Sequence, residues 1–413
     1  MSVLDSTNPR EDYHWLCSPV AHEWLQRAAA LEGSLPARVA RLRTELSAER
    51  THLVLEQITL REKARVKFAA AGQMFFAPRL LEQATDEVVA RYKAGRFANG
   101  SQAFDLCCGL GGDLLALARR GPTVAVDREP MASLFAAANL HAVGQIGVPA
   151  SAPPWPCEVR TCDVDSLDVS AAAAWHIDPD RRPTGRRTTR VELHEPGPAA
   201  IERLLAQNRN AAIKLSPAAE LPEGWSDDAE LEWISRGQEC RQLVAWFGDL
   251  ARAPGACSAT VLGAAGAAPR SITGRGGDEP PRSESMGRYL FEPDAAVLAA
   301  KLEGVLAAEH GLTAISPGVA YWTGEQPIMD AAMSCFEVQE SLPLHLKQLK
   351  SLLRARGIGR LEIKKRGVDH DPAALRRQLN LAGSQSATLI LLPIERRVMA
   401  ILAQRVTHLV ANA

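Results

Sequence analysis

Residues 104–120 form a glycine-rich segment, "FDLCCGLGGDLLALARR", whose residue types are those of a ligand-binding turn. Asp105 precedes Gly109, and Gly111 follows two positions later. Glycine lets the backbone adopt positive φ and approach a ligand closely, and the start of the next helix presents free N–H groups. A dinucleotide fingerprint would require glycine where Leu114 stands, and a phosphate-binding P-loop would require Gly-Lys-Ser/Thr. Neither pattern is met.

The carboxylate of Asp105 changes which ligand is expected at this turn. A carboxylate repels the pyrophosphate of a dinucleotide and attracts a cation. S-adenosylmethionine carries a sulfonium and an α-ammonium group, so it is a ligand of the expected kind. A glycine-rich turn with a purely structural role is the alternative.

Three further aspartates follow short apolar runs that read as strands. Asp127 closes "TVAVD", Asp163 follows "CEVRTC", and Asp178 ends "AWHID". Open α/β sheets bind ligands in the crevice at the carboxyl ends of their strands. There Asp127 would accept hydrogen bonds from the ribose hydroxyls of a nucleoside, and Asp163 would accept one from the adenine amino group. Asp165 competes for the adenine role, and a solvated loop aspartate is the alternative for both.

The elements that must position these side chains change type near residue 100. Residues 18–97 carry apolar residues three and four apart, which predicts helices. From residue 102, short apolar runs alternate with helical ones, which predicts a mainly parallel sheet covered by helices. The last two runs, "QLVAWFG" and "SATVLG", are close in sequence, so we expect them to form an antiparallel pair.

The rest of the chain predicts a linker and a second α/β region. Residues 264–288 are rich in Gly, Pro, Ser and charge, which is typical of a loop. The tail reads as strand, helix, strand, helix and a closing hairpin. The predicted organisation is a helical N-terminal domain at 1–97, a Rossmann-like domain at 98–263, a linker at 264–290 and a small α/β domain at 291–413.

Composition limits the class of protein. The 413 residues are 46% hydrophobic and 23% charged, as expected of a folded chain. The net charge is −1, so any affinity for nucleic acid must come from local patches. The start has no apolar run and no stretch of about 18 apolar residues occurs, so we expect a cytoplasmic location and no membrane span. Eight cysteines lack zinc-like spacing, so we expect reduced thiols and no metal.

Residues 72–262 resemble the class I S-adenosylmethionine-dependent methyltransferases. The segments that resemble one bacterial family of these enzymes are "GQMFFAPRLLEQAT", "DLCCGLGGD", "IDPDRR", "AAIKLSP" and "LEIKKRGVDHDPAALRRQL". That family ends in a THUMP-like domain, named after a domain of RNA-modifying enzymes. The resemblance covers nearly the whole chain. It implies a Rossmann-like methyltransferase sheet, S-adenosylmethionine as cofactor, and methyl transfer with RNA (tRNA or rRNA) as the expected acceptor.

The segment "GQMFFAP" is similar to the one that precedes the cofactor loop in amino-methylating nucleic-acid enzymes. In those enzymes an aromatic-Thr-Pro turn helps to hold the methionine end of the cofactor. Ala77 replaces the threonine here, so that hydroxyl contact is lost. The alternative is that these residues belong to the core. The residues expected at the cofactor are Phe76, Asp105, Cys107, Gly109, Gly111, Asp113, Asp127 and Asp163.

Asp178 and Pro179 begin a segment similar to the [DN]-P-P-[YFW] motif of the same enzymes. Methylation of an exocyclic amine needs two acceptors that orient the nitrogen lone pair toward the sulfonium, and the resemblance implies Asp178 and the Pro179 carbonyl as this catalytic pair. Asp180 replaces the second proline, and Arg181 replaces the aromatic residue that stacks on the target base. A guanidinium can also stack on a base.

Basic residues near the expected cleft and in the tail are candidates for RNA binding. The expected set is Arg181, Arg182, Arg186, Lys214, Lys364, Lys365 and Arg366, and a solvated basic surface is the alternative. The helix "LHLKQLKSLLRARGIGR" adds further cations to the tail. Two other functions stay open: a methyltransferase of small molecules or proteins, and an RNA-binding protein that holds the cofactor without turnover. The sequence predicts no oligomeric state.

Overall fold

The computed structural model describes residues 9–144, 155–181, 188–263, 266–395 and 397–407. It divides into two compact units. The first comprises Met1–Ala229 and Val244–Pro254, and the second comprises Glu230–Leu243 and Gly255–Ala413. Within the described ranges, no helix combines the length and the apolar character needed to cross a membrane.

Among the residues that the structure describes, the first unit begins with six helices. They are α1 (Pro9–Leu16), α2 (Pro19–Ala29), α3 (Leu35–Leu42), α4 (Ala48–Ala64), α5 (Pro78–Gln83) and α6 (Glu87–Ala94). Local sequence explains several of their starts. Ser18, Ser47 and Asp86 each accept a backbone N–H as N-caps, and Pro78 occupies the first turn of α5, where its missing N–H costs nothing.

A parallel sheet follows in the same unit. Its elements are β1 (Ala103–Leu106), α7 (Leu114–Leu117), β2 (Thr123–Asp127), α8 (Pro130–Val143), β3 (Cys157–Thr161), β4 (Ala174–Ile177), α9 (Pro198–Gln207), β5 (Ala211–Leu215) and α10 (Trp225–Asp228). The strand order is β3-β2-β1-β4-β5, and all the pairs along it are parallel. The order reverses between β1 and β4, which makes the carboxyl ends of these strands the expected ligand crevice.

The helical segment and the parallel sheet share one hydrophobic core. Phe75 and Phe76, which lie before α5, belong to the same buried cluster as Leu110 of the glycine loop and Phe135 of α8. This shared core is the physical reason why the first unit shows no boundary at residue 97, where the sequence predicts one.

The second unit begins with strands β6 (Glu230–Arg236), β7 (Glu239–Trp246), β8 (Cys257–Leu262) and β9 (Arg270–Gly274). The first part of β7 belongs to this unit and its last three residues belong to the first unit. The predicted antiparallel pairing of the runs "QLVAWFG" and "SATVLG" is wrong. β6 lies between them and pairs with β8 in parallel, and β8 takes its antiparallel partner, β9, from the predicted linker.

In the described part of the second unit, the remaining elements build a seven-stranded sheet with four helices. They are β10 (Tyr289–Pro293), α11 (Ala295–Ala299), α12 (Glu303–His310), β11 (Thr313–Ser316), β12 (Val319–Gly324), β13 (Met333–Pro343), α13 (Leu346–Ala355), β14 (Ile358–Lys365), α14 (Pro372–Leu379), β15 (Gln385–Ile394) and β16 (Arg397–Arg405). The strand order is β11-β12-β10-β13-β16-β15-β14. From β13 onward this is the predicted strand, helix, strand, helix and hairpin, and β15 pairs antiparallel with β16. The predicted α/β fold class is therefore confirmed.

Candidate functional site

A cavity of about 550 Å³ opens in the first unit at the carboxyl ends of β1, β2 and β4. It lies where the strand order reverses, as the sheet topology requires. Most of the residues that the sequence assigns to cofactor and acceptor line this one cavity. They are Asp105, Cys107, Gly109, Asp113, Asp127, Asp163, Asp178, Pro179 and Arg181.

The glycine loop between β1 and α7 adopts a backbone that few side chains allow. Gly109 and Gly111 have φ values of 56° and 94°, in the left-handed region that favours glycine. Cys107 also has a positive φ, 56°, which is uncommon for a residue with a side chain. A β-carbon at Gly112 would lie 3.0 Å from the carbonyl oxygen of Thr85. Glycine there allows the loop to pack against the segment after α5.

Asp127, at the end of β2, supports this loop. One carboxylate oxygen accepts the N–H of Gly109 at 2.9 Å, and the other accepts the N–H of Glu129 at 2.9 Å. These bonds fix the carboxylate at the cavity wall. Asp163 is similarly held at the end of β3, where it accepts the N–H of Asp165 at 2.9 Å.

A chain of buried polar groups lies behind the glycine loop. Nδ1 of His176, on β4, is 2.8 Å from Oδ1 of Asp105, and its Nε2 is 3.0 Å from Nζ of Lys93. Lys93 in turn lies 2.8 Å from Oδ1 of Asp113, whose other oxygen accepts the Thr85 hydroxyl at 2.6 Å. Burial alone would raise the pKa of Asp113, but the charges of Lys93 and its other cationic neighbours outweigh burial and hold that pKa well below its usual range.

Lys93, His176 and Thr85 were not expected from the sequence. Lys93 stands in "RYKAGRF", which reads as the exposed end of a helix, and His176 interrupts an apolar strand. A histidine flanked by buried strand residues was the one available signal, since a polar side chain in such a place needs partners.

The second oxygen of Asp105 shows that the site fits a cation. Oδ2 is buried and has no hydrogen-bond partner among the described residues. Burial raises the pKa of Asp105, although His176 opposes that shift. A buried carboxylate oxygen without a partner is costly, and a bound ammonium group would remove that cost.

The part of the cavity lined by Asp178 and Asp180 contains a second set of ion pairs. Asp178 follows β4, and its Oδ2 pairs with Nζ of Lys214 on β5. The Lys214 side chain is only 7% exposed and pairs with Asp178, while its contact with a phosphate stays a prediction from the sequence. Asp180 accepts from Gln83 at 3.0 Å and from Arg79 at 2.5 Å.

Asp180, which replaces the second proline of the motif, therefore fixes this segment to α5. Its backbone also forms an antiparallel bridge with Glu195, with N–H to oxygen distances of 2.8 and 3.0 Å. The carboxylate of Glu195 pairs with Arg128, which follows β2. Arg181 lines the cavity, whereas Arg182 and Arg186 lie outside the described residues.

Comparison with known proteins identifies the chemistry. Two relatives from strains of Mycobacterium tuberculosis, both named as uncharacterized S-adenosylmethionine-dependent methyltransferases, are 31% identical to this chain over 356 residues. The alignment covers 83% of this chain and 93% of each relative. This chain belongs to the S-adenosylmethionine-dependent methyltransferases. Its cofactor is S-adenosylmethionine, as the sequence predicts.

Two further comparisons agree with the fold of the methyltransferase. The THUMP domain-like family profile matches residues 333–405, which confirms the predicted THUMP-like region at the C-terminus. The crystal structure of a protein classed as a methyltransferase, from Porphyromonas gingivalis, has a TM-score of 0.76 with 19% identity. The match covers 98% of this chain and 100% of the other, and it shows a shared fold.

Two predicted cofactor residues of the methyltransferase lie outside the cavity lining. Phe76 is fully buried in the core, and its backbone N–H donates to Oε1 of Gln57 at 3.0 Å. Its neighbour Ala77 lines the cavity instead. Gly111 shapes the loop without reaching the cavity, since a side chain there would meet Leu114 and Ala136.

The thiols at the loop are unsuited to nucleophilic attack. Burial raises the pKa of both Cys107 and Cys108 well above the ordinary value, and neighbouring carboxylates raise it further. The thiolate is the nucleophilic form, so neither residue is a candidate for a covalent step. All eight cysteines of the chain are free thiols.

The basic cluster of β14 is less available than its sequence indicates. In the second unit, Lys364 pairs with Glu292 at 2.7 Å, and Arg366 lies 3.8 Å from the same carboxylate. Lys365 points to the opposite face and is exposed, as strand alternation requires.

One cluster of metal-ligand type occurs among the described residues. Glu309, His310 and Asp330 bring ligand atoms within 4.8 Å of one another. The guanidinium of Arg270 lies 2.6 Å from Glu309 and 3.0 Å from Asp330. Because a cation already balances these carboxylates, the cluster gives no support for a metal site.

Proposed function

We propose that this methyltransferase modifies RNA at an exocyclic base amine. The observation that carries the proposal is Asp178, which borders the same cavity as Asp105 and Asp127 and has one oxygen fixed by Lys214. A carboxylate held in this way presents its other oxygen to a donor in the cavity.

The cofactor would lie along the carboxyl ends of the strands. In this arrangement Asp105 receives the α-ammonium group, Asp127 accepts from the ribose hydroxyls, and Asp163 accepts from the adenine amine. All three carboxylates line the cavity. The sulfonium would then face the side of the cavity that contains Asp178.

Asp178 and Pro179 would orient the acceptor. The carboxylate and the Pro179 carbonyl accept the two N–H groups of the amine, which directs its lone pair toward the methyl carbon. S-adenosylmethionine would supply the methyl group and leave as the neutral thioether S-adenosylhomocysteine, and the proton that the nitrogen loses would pass to solvent. The methyl group is already activated, so the protein mainly supplies orientation.

Arg181 would take the place of the aromatic residue that stacks on the base. It lines the cavity and directly follows Asp180, which is bound to Gln83. A planar guanidinium can stack on an unpaired base and also attract a phosphate. Both properties suit an RNA acceptor.

The second unit supplies the argument for RNA. Its THUMP-like region, residues 333–405, carries exposed cations on α13, α14 and β14. They include Lys347, Arg354, Lys365, Arg376 and Arg377. The whole chain is nearly neutral, so this local excess of positive charge favours a polyanionic partner.

Charge reversal tests this surface. We expect the triple variant Arg354→Glu, Lys365→Glu, Arg377→Glu to bind total RNA more weakly in filter binding, with a shallower dependence on salt, because fewer counterions are released. The matched control reverses three exposed arginines of the first unit, Arg27, Arg41 and Arg43. Equal loss in both variants would assign the effect to net charge alone.

The test of the function is transfer of a labelled methyl group. The purified protein is incubated with S-adenosylmethionine labelled in the methyl group and with total cellular RNA, which is then digested to nucleosides. We expect the label in a methylamino nucleoside. Label on a ring carbon or ribose would exclude the amine, and label only in protein or small molecules would favour the other methyltransferase function.

A further inference from the structure

In the buried chain Lys93–His176–Asp105, the donor and the acceptor of each hydrogen bond can be assigned. Lys93 is fully buried and lies 2.8 Å from Asp113 and 3.0 Å from Nε2 of His176. Burial lowers the pKa of Lys93 and the carboxylate of Asp113 opposes that shift, so the ion pair favours an ammonium group, which only donates. Nε2 of His176 must therefore accept.

The tautomer of His176 follows from this contact. With Nε2 as acceptor, the ring proton lies on Nδ1, which donates to Oδ1 of Asp105 at 2.8 Å. Oδ1 of Asp105 therefore already accepts a hydrogen bond from within the protein. The other, Oδ2, is the buried oxygen that lacks a partner among the described residues, and Asp105 belongs to the cavity wall.

We propose that Lys93 and His176 are positioning residues that orient Asp105, so that its free oxygen receives the α-ammonium group of S-adenosylmethionine. His176 acts by donating to Asp105, and Lys93 acts by fixing the tautomer of His176. The proposal rests on S-adenosylmethionine as cofactor and on the cofactor orientation given above. It does not depend on which acceptor is methylated.

Ligands that differ only at the amino-acid end separate this role from general stability. S-adenosylhomocysteine contains the ammonium group, whereas methylthioadenosine has the same nucleoside and sulfur without the amino acid. A change that misplaces Asp105 weakens the binding of S-adenosylhomocysteine alone. A change that disturbs the whole cavity weakens the binding of both ligands.

Two substitutions at His176 form a matched pair. The amide nitrogen of asparagine lies near the position of Nδ1, so His176→Asn keeps a donor to Asp105. The amide of glutamine lies near Nε2, so His176→Gln keeps an acceptor for Lys93 and loses the donor to Asp105. Each variant leaves one buried contact in place.

Calorimetry on the full-length variants gives the test. We expect His176→Gln to bind S-adenosylhomocysteine about tenfold more weakly, the effect of one lost hydrogen bond to a charged group, and to bind methylthioadenosine as the wild type does. His176→Asn retains most of the affinity for both. Equal losses for the two ligands, unchanged binding in His176→Gln, or a loss in His176→Asn as large as in His176→Gln would each overturn the proposal.

A measurement on the wild type needs no variant to fold. Nitrogen NMR of labelled histidine distinguishes a protonated ring nitrogen from an unprotonated one. The proposal requires His176 to be protonated at Nδ1 and not at Nε2 near neutral pH. A neutral ring protonated at Nε2, or a doubly protonated ring, would overturn it. Methyl transfer to RNA by the same protein is measured separately, so failure of this proposal would still leave the proposed function standing.

Discussion

The two sides of the cavity are built differently. On the cofactor side, the Asp105 side chain is 1% exposed and is held by His176, which is 2% exposed. On the acceptor side, the Asp178 side chain is 24% exposed and is held by Lys214, while Asp180 pairs with Arg79, which is 64% exposed. A buried, fixed wall suits a ligand whose amino-acid and nucleoside parts are the same in every turnover, and a more exposed wall suits a larger acceptor.

The contrast has an energetic basis. Contacts between buried charged groups are strong, and losing one partner is costly because the other stays unpaired. The more exposed pair of Asp180 and Arg79 should contribute only about 0–1 kcal/mol, so it can be exchanged for contacts with a substrate. The cofactor side should therefore control affinity for S-adenosylmethionine, and the acceptor side should control turnover.

Asp178→Ala is expected to have the largest effect. If Asp178 orients the amine as proposed, loss of its carboxylate should lower the rate of methyl transfer to RNA by about a hundredfold or more. The affinity for S-adenosylhomocysteine should stay nearly unchanged, because Asp178 lies on the acceptor side. Label incorporation and calorimetry measure the two quantities. Turnover at the wild-type rate would remove Asp178 from the reaction.

Asp105→Asn should lower the affinity for the cofactor, because Asp105 lies on the cofactor side of the cavity. It keeps the size of the side chain but removes the charge that a cation needs, so affinity for S-adenosylmethionine should fall about tenfold or more. The rate at saturating cofactor should fall much less. Asp178→Asn is the matched control, since it removes one carboxylate charge from the same cavity. Equal effects of both variants on cofactor affinity would break the comparison between the two sides.

Lys214→Met should have the smallest effect of the three. Methionine fills the apolar part of the space and leaves Asp178 without its cation, so the carboxylate is less well oriented. We expect the rate of methyl transfer to fall about tenfold with cofactor affinity retained, and Lys214→Arg to recover part of the rate. If Lys214→Met instead weakens RNA binding at an unchanged rate, the lysine serves the phosphate role predicted from sequence.

The sequence predicts the parts of this site that depend on strand ends. Asp105, Asp127 and Asp178 could be placed together because parallel strands end at one edge of a sheet. The resemblance added the Asp178-Pro179 segment and the THUMP-like tail. These predictions required only local pattern and topology.

The parts that sequence could not predict depend on tertiary packing. Lys93 resembles a surface lysine until α6 is packed against the glycine loop, and Lys214 becomes buried only when β5 lies beside β4. Strand β6 was missed because "ELEWISR" mixes charges with apolar residues. Its charged residues Glu230 and Glu232 are buried beside Ser258 and Thr260 of β8, which donate to them. No local pattern shows such pairing in advance.

A structure of the protein bound to S-adenosylhomocysteine tests the division of the cavity most directly. We predict the α-ammonium group within hydrogen-bond distance of Oδ2 of Asp105, the ribose hydroxyls on Asp127, and the sulfur facing Asp178. The amino-acid end at Asp178, or a ligand bound outside this cavity, would contradict the assignment of its two sides.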